Sequence, residues 1–404
     1  MLSKMIFPRA GRGSAFADYF GLERNVVAVA AAMFLIGFGE NLWKAFLPKY
    51  LEALGAPVLA IGLFGTVRDF LDGAYQYPGG WIADRWGRRR ALMLFIGLAS
   101  VGYILYAVAP GWPFVFAGLL FSMAWVSMAS PTAFAVIGDA LPRERRAIGF
   151  TVQAVLKRLP VLVAPTLGGL AIAAYGIRRG VRLGLVAAFV LALAAIAVVG
   201  RVRIPLVREE TPVGIRGVWR ALPAPLKWLL LSDVFIRTCE GLVDVFLVIY
   251  ATNVVGLTAP QFGVLIAIQM ATSIIAYVPA SKAADRGGRK PFVIATFLCF
   301  AAFPIAVVLS KTFAALAAAF VVGGLREVGE PARKAMIVDL CRPEIRARSV
   351  GLYYLVRSSA IAPAAFTGGL LWNLTPSLPF VAAAGVGAVG TMVFAVTVRE
   401  KDAA

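Results

Sequence analysis

The chain contains no histidine and only three cysteines. Without imidazole there is no histidine metal ligand and no histidine acid or base, so proton handling falls to carboxylates. Cys239, Cys299 and Cys341 lie far apart without metal-ligand spacing, which argues against a metal site and a disulfide framework. Charge is scarce: 15% of the 404 residues are charged, and acids are the rarer sign, 21 against 40 Lys and Arg. No nucleophile–base constellation and no nucleotide loop is visible, so neither an enzyme nor a cofactor is expected. The net charge of +19 has no soluble basic domain with interleaved aromatics to sit on, which excludes a nucleic-acid partner. What abounds is apolar: 60% of residues are hydrophobic, against about 45–50% in a soluble domain. The mean hydropathy is +0.82.

Apolar stretches of about 20 residues, enough to cross a hydrocarbon core about 30 Å thick, recur along the chain. Twelve are predicted and numbered here as spans 1 to 12: 25–47, 58–81, 91–110, 113–137, 147–173, 183–200, 226–249, 261–281, 291–309, 312–338, 349–372 and 377–397. In lipid each must satisfy its own backbone, so each is read as a helix. Residues 1–24 lack the apolar core of a cleavable signal, and span 1 is expected to serve as an uncleaved insertion signal. With a cytoplasmic amino terminus, only Lys49, Arg178, Arg179, Arg182 and Lys311 fall in outer loops. That bias places both termini of a multi-pass protein in the cytoplasm, although the three arginines run against it. The expected organisation is an N-terminal segment 1–24, a bundle 25–200, a linker 201–225, a second bundle 226–397 and a tail 398–404.

The halves repeat with a period of about 200 residues. Glu40 and Glu240 stand 44 and 45 residues before Asp84 and Asp285, Asp139 matches Asp339, and Gly168-Gly169 matches Gly368-Gly369. Between spans 2 and 3, Gly80, Asp84, Arg85, Gly87 and Arg88 to Arg90 form a short basic loop. Ser281, Asp285, Arg286, Gly288 and Arg289 repeat it between spans 8 and 9. This pattern resembles the loop signature of the major facilitator superfamily. The resemblance implies an all-α membrane protein of twelve transmembrane helices in two pseudosymmetric six-helix bundles, monomeric, surrounded by lipid and carrying a small molecule between its halves. It also implies a gating role for the loops, with Asp84 near the start of span 11, Asp285 near the start of span 5, and the loop arginines pairing with Asp139. In that family helices 1, 4, 7 and 10 line the cavity, and 3, 6, 9 and 12 face lipid.

Ionised groups inside spans cost about 2.5–3.5 kcal/mol each on insertion scales, so their retention needs a reason. Leaving aside Lys227 at the very start of span 7, nine cations and eight anions fall there, on spans 1, 2, 5, 7, 10 and 11; spans 3, 6, 9 and 12 have none. Asp233, Arg237, Glu240 and Asp244 share a face of span 7, and Arg326, Glu330 and Arg333 share one on span 10. These faces are expected to meet in one wet cavity, although any single pair has the alternative reading of a structural tie. Asp69, Asp72, Glu240 and Glu327 are the candidates for proton coupling. Glu40, Arg68, Trp125, Arg237, Asp244, Arg326 and Glu330 are the candidates for substrate contact, with the arginines suited to an anion and Trp125 to stacking. Residues 164–169 (Ala-Pro-Thr-Leu-Gly-Gly) resemble part of an element of proton-driven exporters, but the buried span 4 arginine of those exporters is absent. The expectation is a proton-coupled secondary transporter of a small organic solute in the cytoplasmic membrane, leaning to export. Alternatives are an importer or facilitator of an organic anion, or a non-transporting receptor or assembly factor.

Overall fold

The computed structural model describes residues 24–129, 146–201, 219–220, 222–341 and 346–398. Among the described residues there is no strand, and helix occupies every expected span. Five stretches are long and apolar enough to cross a membrane by composition alone: Arg88–Val108, Arg158–Val199, Ala259–Tyr277, Lys290–Leu309 and Leu378–Thr397. The other spans carry charges or breaks. The N-terminal segment, most of the linker, Asp139 and the extreme C terminus lie outside the described residues.

Two expected loops shrink to almost nothing. The span 2 helix runs Val58–Trp86 and the next begins at Arg88, leaving only Gly87 between them, at φ 85°. The second copy turns at Gly288, φ 90°, after the helix Ala259–Gly287. Most of the signature is therefore helix, because polar side chains at a membrane boundary leave helical hydrogen bonding undisturbed until a residue tolerant of positive φ ends it. Spans 5 and 6 are likewise two helices within Arg146–Val199 that meet at Gly176, whose φ of 78° and ψ of 164° are not helical.

Other spans expected to be continuous are broken. Span 1 splits into Arg24–Asn41, a 3-10 turn Lys44–Phe46 and Leu47–Ala53, where Pro48 cannot donate back to the Lys44 carbonyl. Span 10 splits into Phe313–Leu325 and Glu330–Asp339, with Pro331 removing the bond that would close on Glu327. Span 11 breaks before Pro363, and in span 4 the helix Trp112–Met123 passes into a π-turn, Ala124–Met128. Irregular backbone at membrane depth survives where it is enclosed by protein or lines a cavity.

Packing repeats with the sequence. A Cβ on Gly168 would strike the Leu42 carbonyl, and one on Gly368 would strike the Leu242 carbonyl. Spans 1 and 7 thus seat identically against spans 5 and 11. Between halves, span 5 packs on span 8 and span 2 on span 11. A Cβ on Gly169 would lie 2.6 Å from the Ala259 carbonyl, one on Gly263 2.6 Å from the Pro165 carbonyl, and one on Gly62 2.7 Å from the Ala365 carbonyl. Glycine lets these backbones touch, as small residues do in membrane helix pairs generally. All three approaches lie toward the end of the molecule opposite the basic loops. There a polar clasp joins spans 1 and 7: Asn253 donates to Glu52 at 2.7 Å, and Lys49 donates to Asn253 while pairing with Glu52.

Candidate substrate cavity

At the level of the breaks in spans 1 and 7, a cavity of about 440 Å³ opens between the halves. Its charged wall comes from Glu40 and Lys44 on span 1, Arg68, Asp69 and Asp72 on span 2, and Asp244 on span 7. Lys44 pairs with Glu40 at 2.8 Å, one helical turn away. Arg68 reaches Asp69 at 2.9 Å and, across the boundary between halves, Asp244 at 3.0 Å. Asp244 begins the 3-10 turn Asp244–Phe246, and this break turns it away from the other acids of its helix toward Arg68. Asp72 has no cation among the described ion pairs; it accepts a hydrogen bond from Ser127 at 2.7 Å, a serine delivered by the span 4 π-turn.

The aromatic wall is Trp43 flanked edge-on by Tyr103 and Tyr106, with ring centroids 5.5 and 5.4 Å away. Tyr106 shares a hydrogen bond with Ser122 at 2.9 Å, and its carbonyl accepts from the Tyr50 hydroxyl at 3.0 Å. Trp43 Nε1 and the Tyr103 hydroxyl are buried without a hydrogen-bond partner. An unsatisfied donor in a low-dielectric wall is costly unless a ligand or water completes it.

A second ionic cluster lies wholly in the second half. Arg333 donates to Asp233 at 2.5 Å and to Glu330 at 2.7 Å; Tyr353 donates to Asp233 at 3.1 Å, and Arg357 lies 3.5 Å from it. Arg237 pairs with Glu240 at 2.8 Å and Glu330 at 3.2 Å. Arg326 lies 3.6 Å from Glu240, with its guanidinium 4.9 and 4.5 Å from the Phe300 and Phe303 ring centres. Glu327 instead crosses to the first half, 3.1 Å from Arg158, which stacks on Tyr277.

The expected single charge-lined cavity is thus divided. Glu40, Arg68, Asp69, Asp72 and Asp244 come together at the cavity, whereas Arg237, Glu240, Arg326 and Glu330 tie spans 7 and 10 to each other and do not line it. Helical spacing shows which residues share a face, not which neighbour that face meets. Trp125 sits in the apolar core, because the π-turn directs Ser127 rather than Trp125 toward span 2. Spans 3 and 9, expected to be peripheral for want of charge, supply Tyr103, Tyr106, Phe300 and Phe303 to the two sites. Tyr103 and Tyr106, three residues apart with polar tips in an uncharged span, were the available signal for the first pair.

At the basic loops, a Cβ on Gly80 would find open space, while one on its neighbour Gly79 would lie 2.5 Å from Met128 Cα. Arg85 stacks on the exposed Trp81, 5.2 Å from its ring centre. Arg289 pairs with Asp339, the repeat counterpart of Asp139. Gly87 and Gly288 make the turns, and Arg88 opens the span 3 helix. The side chains of Asp84, Asp285 and Arg286, and the whole of Asp139, lie outside the described residues.

A family model described as Major Facilitator Superfamily matches residues 29–238 and 229–404. The chain belongs to the major facilitator superfamily. This MFS chain is 23% identical over 376 residues to an uncharacterised MFS-type transporter of Methanocaldococcus jannaschii, covering 89% of this chain and 91% of the relative. It is 27% identical over 249 residues, 58% of each chain, to the multidrug resistance protein MdtG of Serratia proteamaculans. Its backbone is similar to the crystal structure of a POT family transporter in complex with 5-aminolevulinic acid, with a TM-score of 0.78 at 16% identity, covering 94% of this chain and 96% of that one. The protein is therefore a multi-pass membrane transporter of the MFS fold, not an enzyme, and its substrate is a small molecule.

Proposed function

We propose that this MFS protein is a secondary active transporter that exports a small organic solute across the cytoplasmic membrane by alternating access, coupled to protons. The observation that carries the reading is Arg68, which bridges Asp69 on its own half and Asp244 on the other, in the cavity wall. A proton on Asp244 removes the arginine's partner across the boundary and weakens a link between the bundles, whereas a proton on Asp69 leaves Arg68 to Asp244 alone, so proton occupancy and bundle geometry become linked. Asp69 is the primary proton carrier, with Asp72 beside it. Glu240 is a second site, held between Arg237 and Arg326, with Glu327 at its cross-half tie to Arg158. With both termini cytoplasmic, the clasped end faces outward, and the basic loops latch the opposite side when the cavity turns over.

Export draws support from the multidrug resistance name of the Serratia relative and from the packing of residues 164–169. The organic-anion reading loses its footing because Arg237 and Arg326 are engaged with carboxylates away from the cavity. The test is flux in proteoliposomes, with and without a pH gradient, of the library compound that most raises the protein's melting temperature. Gradient-driven flux should vanish in Asp69→Asn while counterflow of the solute persists. Flux indifferent to both the gradient and that substitution overturns proton coupling.

A further inference from the structure

We propose that the cavity takes a lipophilic organic cation, seated against Trp43, Tyr103 and Tyr106 and neutralised by carboxylates that the cavity holds in excess. The proposal rests on the transport reading only in treating this cavity as the substrate site; the recognition chemistry stands by itself.

Charge is the first argument. Of the six ionised residues in the wall, four are acids (Glu40, Asp69, Asp72, Asp244) and two are cations (Lys44, Arg68). Lys44 is committed to Glu40, and Arg68 is shared by Asp69 and Asp244. Two negative charges are left over, and Asp72 has only the Ser127 hydroxyl. An anionic solute would add to that imbalance in a poorly screened space, whereas a cation relieves it.

The aromatic box is the second. Rings at the edge of an acidic cavity attract a cation through their electron-rich faces, and more strongly as water is excluded. Trp43 and Tyr103 line the cavity as almost fully enclosed rings. Most of the remaining wall is apolar, including Phe64 from the first half and Phe262 from the second. The 440 Å³ volume falls within the range of about 300–1,000 Å³ usual for small-molecule sites.

A direction of coupling follows. The titratable and charged groups around this space are the six named above together with Tyr103 and Tyr106 of span 3; spans 5 and 8 add Pro165, Phe262 and Ile266. Proton and cation therefore draw on the same carboxylates, and each weakens the binding of the other. A carrier whose two ligands exclude one another exchanges them, which is antiport.

The test is calorimetric binding to the full chain in detergent with three probes of similar shape: tetraphenylphosphonium, tetraphenylborate and neutral triphenylphosphine oxide. Tetraphenylphosphonium should bind at least about tenfold more tightly than either of the others. Its affinity should fall as the pH is lowered, because proton and cation compete for the same carboxylates. Asp72→Asn should weaken the cation by about tenfold or more while sparing the neutral probe, and Tyr103→Phe, which keeps the ring, should leave cation affinity within about threefold. Equal binding of the neutral probe, tighter binding of tetraphenylborate, or an Asp72→Asn protein with unaltered cation affinity overturns the proposal. Because binding needs no membrane, a protein that binds the cation but shows no gradient-driven flux sinks the transport reading and leaves this one standing.

Discussion

Asp233 and Arg333 pair at 2.5 Å where almost no solvent reaches either side chain. Moving two charges out of water costs more than their attraction returns unless further bonds complete them, and here Glu330, Tyr353 and Arg357 do so. The pair is therefore a structural node, and its removal is asymmetric. Arg333→Met takes from Asp233 and Glu330 their shortest partner and should cost about 3–5 kcal/mol, whereas Asp233→Asn together with Arg333→Met should recover more than half of that loss. Thermal unfolding of the two variants in detergent checks the order. Sequence spacing placed Arg333 on the right face of span 10 but could not separate this tie from a transport site, because its decisive partner lies 100 positions away. Two of the three outer arginines that defied the charge bias, Arg178 and Arg182, have an equally local explanation. Arg182 donates to the Ala109 carbonyl at 3.0 Å and to the Tyr50 hydroxyl at 3.3 Å, and Arg178 donates to the Ala53 carbonyl.

Those carbonyls belong to helix ends, which carry unpaired acceptors and the negative pole of the helix dipole. Arg178 closes Leu47–Ala53 and Arg182 closes Arg88–Val108, so positive charge remains on the outer side because it finishes two elements. Arg182→Ala should lower stability by about 1–2 kcal/mol and Arg178→Ala, at an exposed end, by less than about 1 kcal/mol. Differential scanning fluorimetry of both proteins separates them, and equal losses would contradict the capping account. At this scale some prolines mark where elements break, whereas Pro78, Pro160, Pro165, Pro279 and Pro304 lie inside helices that continue through them. Pro48, Pro331 and Pro363 each stand just after an interruption that apolar composition alone had smoothed over. The π-turn Ala124–Met128, with Pro131 three residues on as the repeat counterpart of Pro331, is the turn that brings Ser127 to Asp72 in place of Trp125. Ser127→Ala tests this delivery: it should leave unfolding within about 1 kcal/mol of the parent but reduce gradient-driven flux, by depriving Asp72 of its donor.

Across the whole molecule, the 200-residue repeat was legible as matched glycines and acids, and the structure turns that match into matched contacts. Leu42 meets Gly168 as Leu242 meets Gly368, and the 3-10 turns at Lys44 and Asp244 interrupt spans 1 and 7 in the same register. The repeat does not carry chemistry equally. Lys44 stands where its counterpart is Asp244, so one half closes its charge internally on Glu40 and the other lends its acid across the boundary to Arg68. That asymmetry makes the cavity acidic, and it cannot be read from a pattern that treats the halves as copies. The clasp at the end opposite the basic loops is asymmetric too, being built from Lys49, Glu52 and Asn253 without a matching set. It holds spans 1 and 7 together over the same cavity that Arg68 spans, so the two links act in series on one rocking motion. Exposed pairs of this kind are worth only about 1 kcal/mol, yet that much shifts a two-state equilibrium about fivefold. Asn253→Ala removes the residue that both Lys49 and Glu52 bond, and it should raise the fraction of molecules open at that end without unfolding them. A cysteine introduced at Phe262, which lines the cavity, reports this through its labelling by a membrane-impermeant maleimide added from the clasped side. The Asn253→Ala background should label several-fold faster than the parent background, and equal rates would show that the clasp does not hold the cavity shut.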